Sequence, residues 1–435
     1  MPAIAPLRGI RYSPSVVRRM DHVVTPPYDV ISPAAQAVLY RRSSYNFIRI
    51  VYGRGRATDR PGRDRYTRAR DTFQTWLREG VLRMEAVPAC YPYRQRFLHD
   101  GRSFDRWGMI ALIRLGEPAI FRHEDTYATP KQDRFQLLQA VQANLSPIFG
   151  LVDGPDQAYR ALLTRSAARP PLASIRDGDV QHDLWRITHP AVIQRLQAVL
   201  EAKAMLIADG HHRYESALAY RDTLRQQHPS FTASHPANFM LAYLAAFDAH
   251  DPGILPTHRV FGDLAGWSLD RLAASPVVSV ARVADEPAMR VVLDRWPDAA
   301  RPALGCYAGP GQWAVVSPAQ PEPSVRLDVE VLHRVIVPRC LAPAEPAITY
   351  THVWEDAVRQ VEQGLGQVAW YLRPLTVEQL LRCVRDGRRL PQKSTYFIPK
   401  PLSGLVVHRL TPAGAPSRRI AMGGARSKDL ALATR

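Results

Sequence analysis

Apolar positions along this chain recur in two rhythms that take turns. Over residues 45–52, "YNFIRIVY", they alternate with polar ones, which predicts a half-buried strand. Over 64–82, "DRYTRARDTFQTWLREGVL", they take helical spacing, closed by Gly80. "ACYPYRQRFL" (89–98) and "RWGMIALIRL" (106–115) read as two strands joined by "HDGRS", where Asp100-Gly101 is a hairpin signal. "PAVIQRLQAVLEA" (190–202) predicts a helix leading into the strand "AMLIA" (204–208). "ANFMLAYLAAFD" (237–248) fits a buried strand or a helix equally. Residues 265–330 alternate short strands with Pro-rich turns, and "TVEQLLRCVRDG" (376–387) predicts a late helix with Gly387 near its end. Interleaved strands and helices predict a mixed α/β fold. The expected organisation is one unit over 1–410, either undivided or in two lobes (1–155 and 156–410), followed by a flexible tail over 411–435, where small and turn-forming residues replace amphipathic spacing.

Composition narrows the class. A chain of 435 residues with 46% hydrophobic content can bury a sizeable core. No stretch nears the roughly 18 apolar residues of a membrane span, and the first 20 residues hold no apolar segment of a secretory signal, so a cytoplasmic protein without membrane contact is expected. Cys90, Cys306, Cys340 and Cys383 form no C-x-x-C pair, against a structural zinc site or a redox motif. The net charge of +17 invites a nucleic-acid partner, but the arginines are scattered, with no stripe interleaved with aromatics, so nucleic acid is not the expected partner. Only five of the 57 basic residues are lysines (Lys131, Lys203, Lys393, Lys400, Lys428). Guanidinium and ammonium are not equivalent, so a lysine kept in such a chain marks a position that needs a compact, mobile charge. Lys131, Lys393 and Lys400 lie inside dense polar motifs and are singled out for function; Lys203 and Lys428 are not.

The chemistry concentrates where helices begin. After "AMLIA", Asp209-Gly210 supplies a turn, and a helix presenting Tyr214, Ala217, Leu218 and Leu224 on one face starts with His211, His212 and Arg213. A helix start already carries positive potential, so these residues have the wrong sign unless an anion sits there, and unpaired N–H groups make that end a socket for phosphate or carboxylate. The bland alternative is neutral histidines that cap or pack. In "HEDTYATPKQDRFQLLQAV" (123–141), Thr129 is the expected N-cap and Pro130 a first-turn residue, with Phe135, Leu138 and Val141 as the buried face. Lys131 and Arg134 again have the wrong sign, with Asp133 as partial compensation. Two such helices point to one polyanionic ligand between them. Upstream, His123, Glu124 and Thr126 form a polar knot whose carboxylate can take a proton or hold Mg²⁺, or can be a structural ion pair. Asp29 in "PYDVI" (27–31) is weakly specific. Thr257, His258 and Arg259 in "PTHRVF" (256–261) make a small anion-competent cluster. "PQKSTYFIPKPLSGL" (391–405) brings Lys393, Ser394, Thr395 and Lys400 into a proline-bracketed loop; it lacks the glycines of a P-loop. No G-x-G-x-x-G follows a strand, against a dinucleotide-binding enzyme. His123, His211, His212 and His258 could join Asp209 or Glu124 in a metal site, although adjacent helical residues diverge by about 100°.

Taken together, "PPYDVI", "YNFIRI", "HEDT" with "KQDR", "SPIFGL", "IADGHHRYESALAY", "LPTHRV" and "PQKSTYFIPKPLSGL" resemble a bacterial and archaeal family known as domain of unknown function 1015, over about residues 5–410. "LIADGHHRYESALAY" (206–220) also looks like the phosphate-binding box of the ParB and sulfiredoxin superfamily, and is similar to the Asp-Gly-x-His-Arg version in its free serine kinases. That resemblance implies a ParB/sulfiredoxin-like phosphate-binding element and a nucleotide handled by Asp209, His212 and Arg213. The expectation is an ATP-dependent phosphotransferase acting on a small, serine-like hydroxylated metabolite. Lys131, Arg134, Gly210, His212 and Arg213 would hold phosphates, with Thr257, His258, Arg259, Lys393, Ser394, Thr395 and Lys400 around them. Glu124, Asp209, His123 and His211 are the catalytic candidates, and Glu124 and Asp209 the ligands of Mg²⁺. The alternatives are a metal-dependent hydrolase using the histidines and a nucleotide-gated binding protein related to ParB.

Overall fold

The computed structural model describes residues 3–99, 101–125, 128–152, 154, 157–201, 203–246, 254–296, 301–341 and 346–412. The expected tail beyond 412, together with Asp100 and Thr126, lies outside them. Among the described residues, nine strands form a mixed sheet in the order Ile120–Phe121, Met205–Asp209, Ile148–Val152, Phe239–Ala246, Arg102–Arg114, Tyr91–His99, Val180–Leu184 and Ala173–Asp177, with Ile4–Ala5 paired on Arg102–Arg114. The predicted hairpin is its antiparallel centre, in register from Tyr91↔Ile110 to His99↔Arg102. A second, six-stranded sheet is antiparallel throughout, in the order Val278–Val283, Trp313–Pro318, Leu304–Tyr307, Val368–Tyr371, His258–Gly262 and Ala347–Thr351. The molecule is therefore mixed α/β.

Both faces of the large sheet are covered at its inner strands, which explains why Ile148–Val152, Met205–Asp209 and Phe239–Ala246 read as continuous apolar runs rather than alternating ones. Met109, Ala111, Ile207, Met240 and Leu244 point to one side, against Tyr159, Leu196, Tyr214 and Tyr220 of helices Gln157–Thr164, Pro190–Glu201 and His211–Gln227. Ile110, Leu112, Leu206, Leu241 and Tyr243 point to the other, where they share a core with Phe261 and Trp370 of the small sheet and with Phe397, Leu402 and Val406 of the C-terminal loop. Burial on both sides settles 239–246 as a strand.

Two local expectations are corrected. "YNFIRIVY" contributes a short helix, Ile48–Val51, in place of a strand. Its buried residues Phe47, Ile50 and Val51 take helical spacing, and the Asn46 side chain fixes the start by accepting from Ile48 N at 3.0 Å while donating to His22 O at 2.8 Å. The second helix runs Ala128–Val141, so Thr129 lies within its first turn rather than capping it, and Pro130 stays where a missing N–H does no harm. Leu138 and Val141 are buried and Phe135 partly so, as the spacing requires.

Candidate functional site

Strand Met205–Asp209 ends at Gly210, whose φ of 98° and ψ of 25° turn the chain into helix His211–Gln227. That left-handed turn favours glycine. A Cβ there would lie 2.8 Å from Ile148 Cγ2 and 3.0 Å from Arg213 Nη2. The first helical bond is Tyr214 N to Gly210 O at 2.9 Å, so the amides of His211, His212 and Arg213 have no acceptor within the helix.

The basic residues at this start are neutralised from within. Arg213 folds back on Asp209 and on Pro147 O. Burial pushes His211 well below its ordinary value, with His123 adding to the effect. Burial, then Lys393, lowers His212 to about 4. Both rings are neutral at pH 7, and Arg213 alone of the three is charged. The neighbouring helix start behaves alike. Lys131 Nζ lies 3.6 Å from Glu215 Oε2, Arg122 Nη1 lies 3.3 Å from Glu215 Oε1, and Ser216 Oγ donates to Lys131 O at 2.9 Å, which ties the two helix starts together. Arg134, 7% exposed, donates to Asp133 Oδ2 at 2.7 Å and to Val51 O at 2.9 Å beneath the Tyr28 ring. Arg134 and Arg213 line one small cavity with Tyr28, Ser146 and Ser216. The two starts thus face each other.

The proline-bracketed loop closes over this junction. Lys400 Nζ lies 2.6 Å from Asp209 Oδ1, bonds Asp29 Oδ2, and sits over the Tyr396 ring. Burial would lower the Lys400 ammonium and raise the Asp29 carboxyl, but their mutual attraction, with Asp209 added on one side and Lys393 and Arg213 on the other, drives Lys400 up and Asp29 down. Lys393 has a φ of 56°, and its N–H donates to Glu124 Oε1 at 2.7 Å. Its ammonium makes no ion pair or hydrogen bond among the described residues. Burial raises Glu124 to about 7; the Lys393 N–H and ammonium pull the other way, as does Arg259, while Asp209 adds to the rise. His123 packs its ring on His211 at 4.7 Å and shares a hydrogen bond with Thr395 Oγ1 at 2.8 Å; burial lowers it to about 3. Ser394 Oγ donates to Pro391 O.

The loop is clamped from both sheets. Arg259, 1% exposed, donates to Lys393 O at 2.9 Å, to Gln392 O at 3.3 Å and to Thr257 O. Arg106 donates to Ile398 O at 2.7 Å, and Gln95 Nε2 to Pro399 O and Lys400 O at 3.3 Å each. Thr257 and Arg259 thus stand behind the loop, where they and Ser394 line a separate cavity of about 290 Å³. His258 faces elsewhere: it stacks on Tyr371 at 4.9 Å, meets Trp354 at 5.2 Å and accepts from Leu372 N at 3.3 Å. Sequence reasoning passed over Glu215, Arg106 and Gln95. Their signal was present: Arg106 heads an apolar strand run and Glu215 lies one turn past the basic helix start, both costly positions for a charge without a partner.

Among the described residues, no group of three or more His, Cys, Asp or Glu is placed to hold a metal ion. Asp209 is engaged by Lys400 and Arg213, Asp29 by Lys400, and Glu124 by a backbone N–H. Asp209 and Asp29, each held by a cation, leave Glu124 with one oxygen not bound to the Lys393 N–H, and that alone does not make up the oxygen set of a Mg²⁺ ion.

The chain belongs to the family described as "Protein of unknown function (DUF1015)", whose model matches residues 4–334. The 391–405 loop lies beyond that match. No curated protein matches the chain. Among solved structures it is similar to a conserved hypothetical protein from Pyrococcus furiosus (15% identity, TM-score 0.36, covering 67% of this chain and 93% of that one). It is also similar to a free serine kinase in complex with AMP (13%, TM-score 0.38, 68% and 92%). A third is SbnI with a C-terminal truncation from Staphylococcus aureus (12%, TM-score 0.34, 74% and 93%). Likenesses this distant carry no statement about what this chain does.

Proposed function

We propose that this protein binds a nucleoside polyphosphate, ATP in the first instance, at the facing starts of helices 128–141 and 211–227, and transfers its terminal phosphoryl group to the hydroxyl of a small metabolite. The observation that carries the reading is the juxtaposition of helical amides without a side-chain cap, a Lys393 ammonium with no ion pair or hydrogen bond among the described residues, and a Glu124 carboxyl that burial raises to about 7. Phosphoryl transfer asks for little covalent chemistry from a protein; donors and cations around the phosphate, and a base for the hydroxyl, do most of it. The amides of 211–213 and the ammonium of Lys393 would hold phosphate oxygens. The acceptor oxygen attacks the terminal phosphorus, the bond to the nucleoside diphosphate breaks, and the hydroxyl proton passes to Glu124. Lys400 and Arg213 are held in place by Asp29 and Asp209, which balance their charge, so the cation left for a phosphate is Lys393. With Asp29 and Asp209 paired to Lys400 and Arg213, the charge of the phosphates would fall on the amides and on Lys393. The free thiols Cys90, Cys306, Cys340 and Cys383 agree with a reducing, cytoplasmic setting. Among the described residues, no helix is long and apolar enough to cross a membrane.

The test is calorimetric titration of the full chain with ATP and ADP, followed by ³¹P NMR of ATP with a panel of small hydroxylated metabolites, hydroxy amino acids among them. Binding that falls at least tenfold in Lys393→Ala, with a phosphorylated product, is expected. Absence of nucleotide binding at millimolar concentration ends the proposal. Tight binding without transfer to any acceptor leaves a nucleotide-gated binding protein.

A further inference from the structure

Lys400 also lines a third cavity, of about 270 Å³, none of whose lining residues belongs to helices 128–141 or 211–227. Its walls are Pro27 of the first proline turn, Phe97 of the central hairpin, and Tyr396, Ile398 and Pro399 of the clamped loop. Leu98, 66% exposed, and Val30, 37% exposed, also line it. Asp177 and His182 of the edge hairpin 173–184 and Lys400 complete the lining.

We propose that this cavity receives the base and sugar of the nucleotide whose phosphates lie at the start of helix 211–227. The inference rests on the proposed function and adds to it the place and chemical class of the ligand's other half.

Continuity is the first argument. Lys400 lines the cavity while its ammonium lies 2.6 Å from Asp209, the residue just before Gly210 and the helix start. In the proposed pose the ligand would lie beside Lys400, whose ammonium offsets the Asp29 and Asp209 carboxylates between the two places, with its charge toward the amides and its ring toward Phe97 and Pro399. Size is the second. The volume falls just below the roughly 300 Å³ at which small-molecule sites begin, which suits a ring and sugar with the polyphosphate left outside. The third is charge preference. Burial raises the Asp177 carboxyl, only partly opposed by Arg42, and burial lowers His182 to about 4, with Asp183 opposing. Groups pushed toward their neutral forms suit an uncharged ring edge with its own donors and acceptors, and disfavour a phosphate. His182 is also held in place, its Nδ1 2.6 Å from Tyr93 Oη. Finally, the wall formed by 396–400 is fixed from beneath by Arg106 and Gln95, so the cavity is formed before a ligand arrives, which lowers the ordering cost of binding.

Val180→Trp, at a half-buried strand position lining the cavity, fills it without touching the charged cluster. Val30→Trp does so from a different element, so a folding defect in one variant leaves the other informative. Calorimetry on the full chain compares ADP, inorganic pyrophosphate and adenosine. In the native protein ADP should bind at least tenfold more tightly than pyrophosphate. Either tryptophan should weaken ADP at least tenfold and abolish adenosine binding, while pyrophosphate affinity moves less than twofold. ADP affinity unchanged in both folded variants overturns the assignment. So does a rise in acceptor KM with ADP affinity intact, which gives the cavity to the acceptor. Native protein that binds neither ADP nor pyrophosphate overturns the proposed function itself; pyrophosphate bound as tightly as ADP overturns only the ring site.

Discussion

At Glu124, burial and one backbone N–H work against each other, and the result near 7 leaves the carboxyl divided between its two forms at physiological pH. A base must be ionised to accept the proton, so under the proposed reading turnover rises with pH through about 7 and levels off above it. Glu124→Gln keeps the acceptor oxygen for Lys393 N–H but removes the base. Turnover should fall by about 10²–10⁴, a typical share for a positioned base, with nucleotide affinity preserved; a rate within threefold of native would take Glu124 out of the chemistry. Arg259 acts one step further back, by fixing the Gln392–Lys393 peptide whose N–H Glu124 uses. Arg259→Lys keeps a positive charge but cannot span two carbonyls. With the N–H less firmly placed, burial is less opposed and Glu124 should titrate higher, a displacement readable by ¹³C NMR of the glutamate carboxyls even without substrate. An unmoved titration would make Arg259 a structural residue only. Side-chain chemistry of this sort was half legible in the chain. Lys393 and Lys400 stood out as rare lysines inside dense polar motifs, Glu124 as the carboxylate of a polar knot, and Asp209 as the turn residue before a basic helix start. Their pairing was hidden, because Lys400 finds Asp29 across 371 residues of sequence and no local spacing encodes that.

Strand, glycine and helix at 205–227 form the element on which the site depends, and here local sequence was enough. An apolar run, Asp209-Gly210 and a following amphipathic stretch leave few other conformations. Gly210→Ala tests the element as a unit. The left-handed φ and the approach to Ile148 Cγ2 both resist a Cβ, so a loss of roughly 1–3 kcal/mol is expected in urea unfolding, as for other strained backbone positions. Because the same turn aims the amides of 211–213, nucleotide affinity should fall with it. A fully stable Gly210→Ala protein would show that the turn has room to relax. The helix at 48–51 was illegible for the opposite reason: four residues are too short for periodicity to separate helix from strand, and its start is fixed by Asn46 and its contact with His22. The wrong-sign charges at the helix starts were legible as an anomaly, but their internal resolution by Asp209 and Glu215 depended on packing between helices 128–141 and 211–227.

On the scale of the whole molecule, the two sheets share one core, and the 391–400 loop lies where Arg106 of one and Arg259 of the other can both reach it. Neutral histidines are spread through the same region. Burial lowers His123, His258 and His333 to about 3, and His182, His352 and His408 to about 4, beside His211 and His212 at the helix start. In the unfolded chain each would titrate near its ordinary value of about 6.5. Between there and pH 4 the unfolded state binds protons that the folded state refuses, so stability rises with pH and is lost on acidification, by up to about 1.4 kcal/mol per pH unit for each such group. Glu124 and Asp177 work in the opposite sense, since their raised values make the folded state the better proton acceptor as pH falls toward their unfolded values near 4. Two carboxyls do not offset eight imidazoles. The melting temperature should therefore drop steeply from pH 7 to pH 5, and both sheets should melt together because His182, His258 and the loop-contacting His123 and His352 are distributed across them. His258→Phe keeps a ring against Tyr371 and removes one titration, so its stability curve should be flatter over that interval even though the lost contact with Leu372 N lowers it overall. A native melting temperature that stays level from pH 7 to 5 would mean that these histidines take up protons in the folded state, and that the junction holding the proposed site is wetter than its packing indicates.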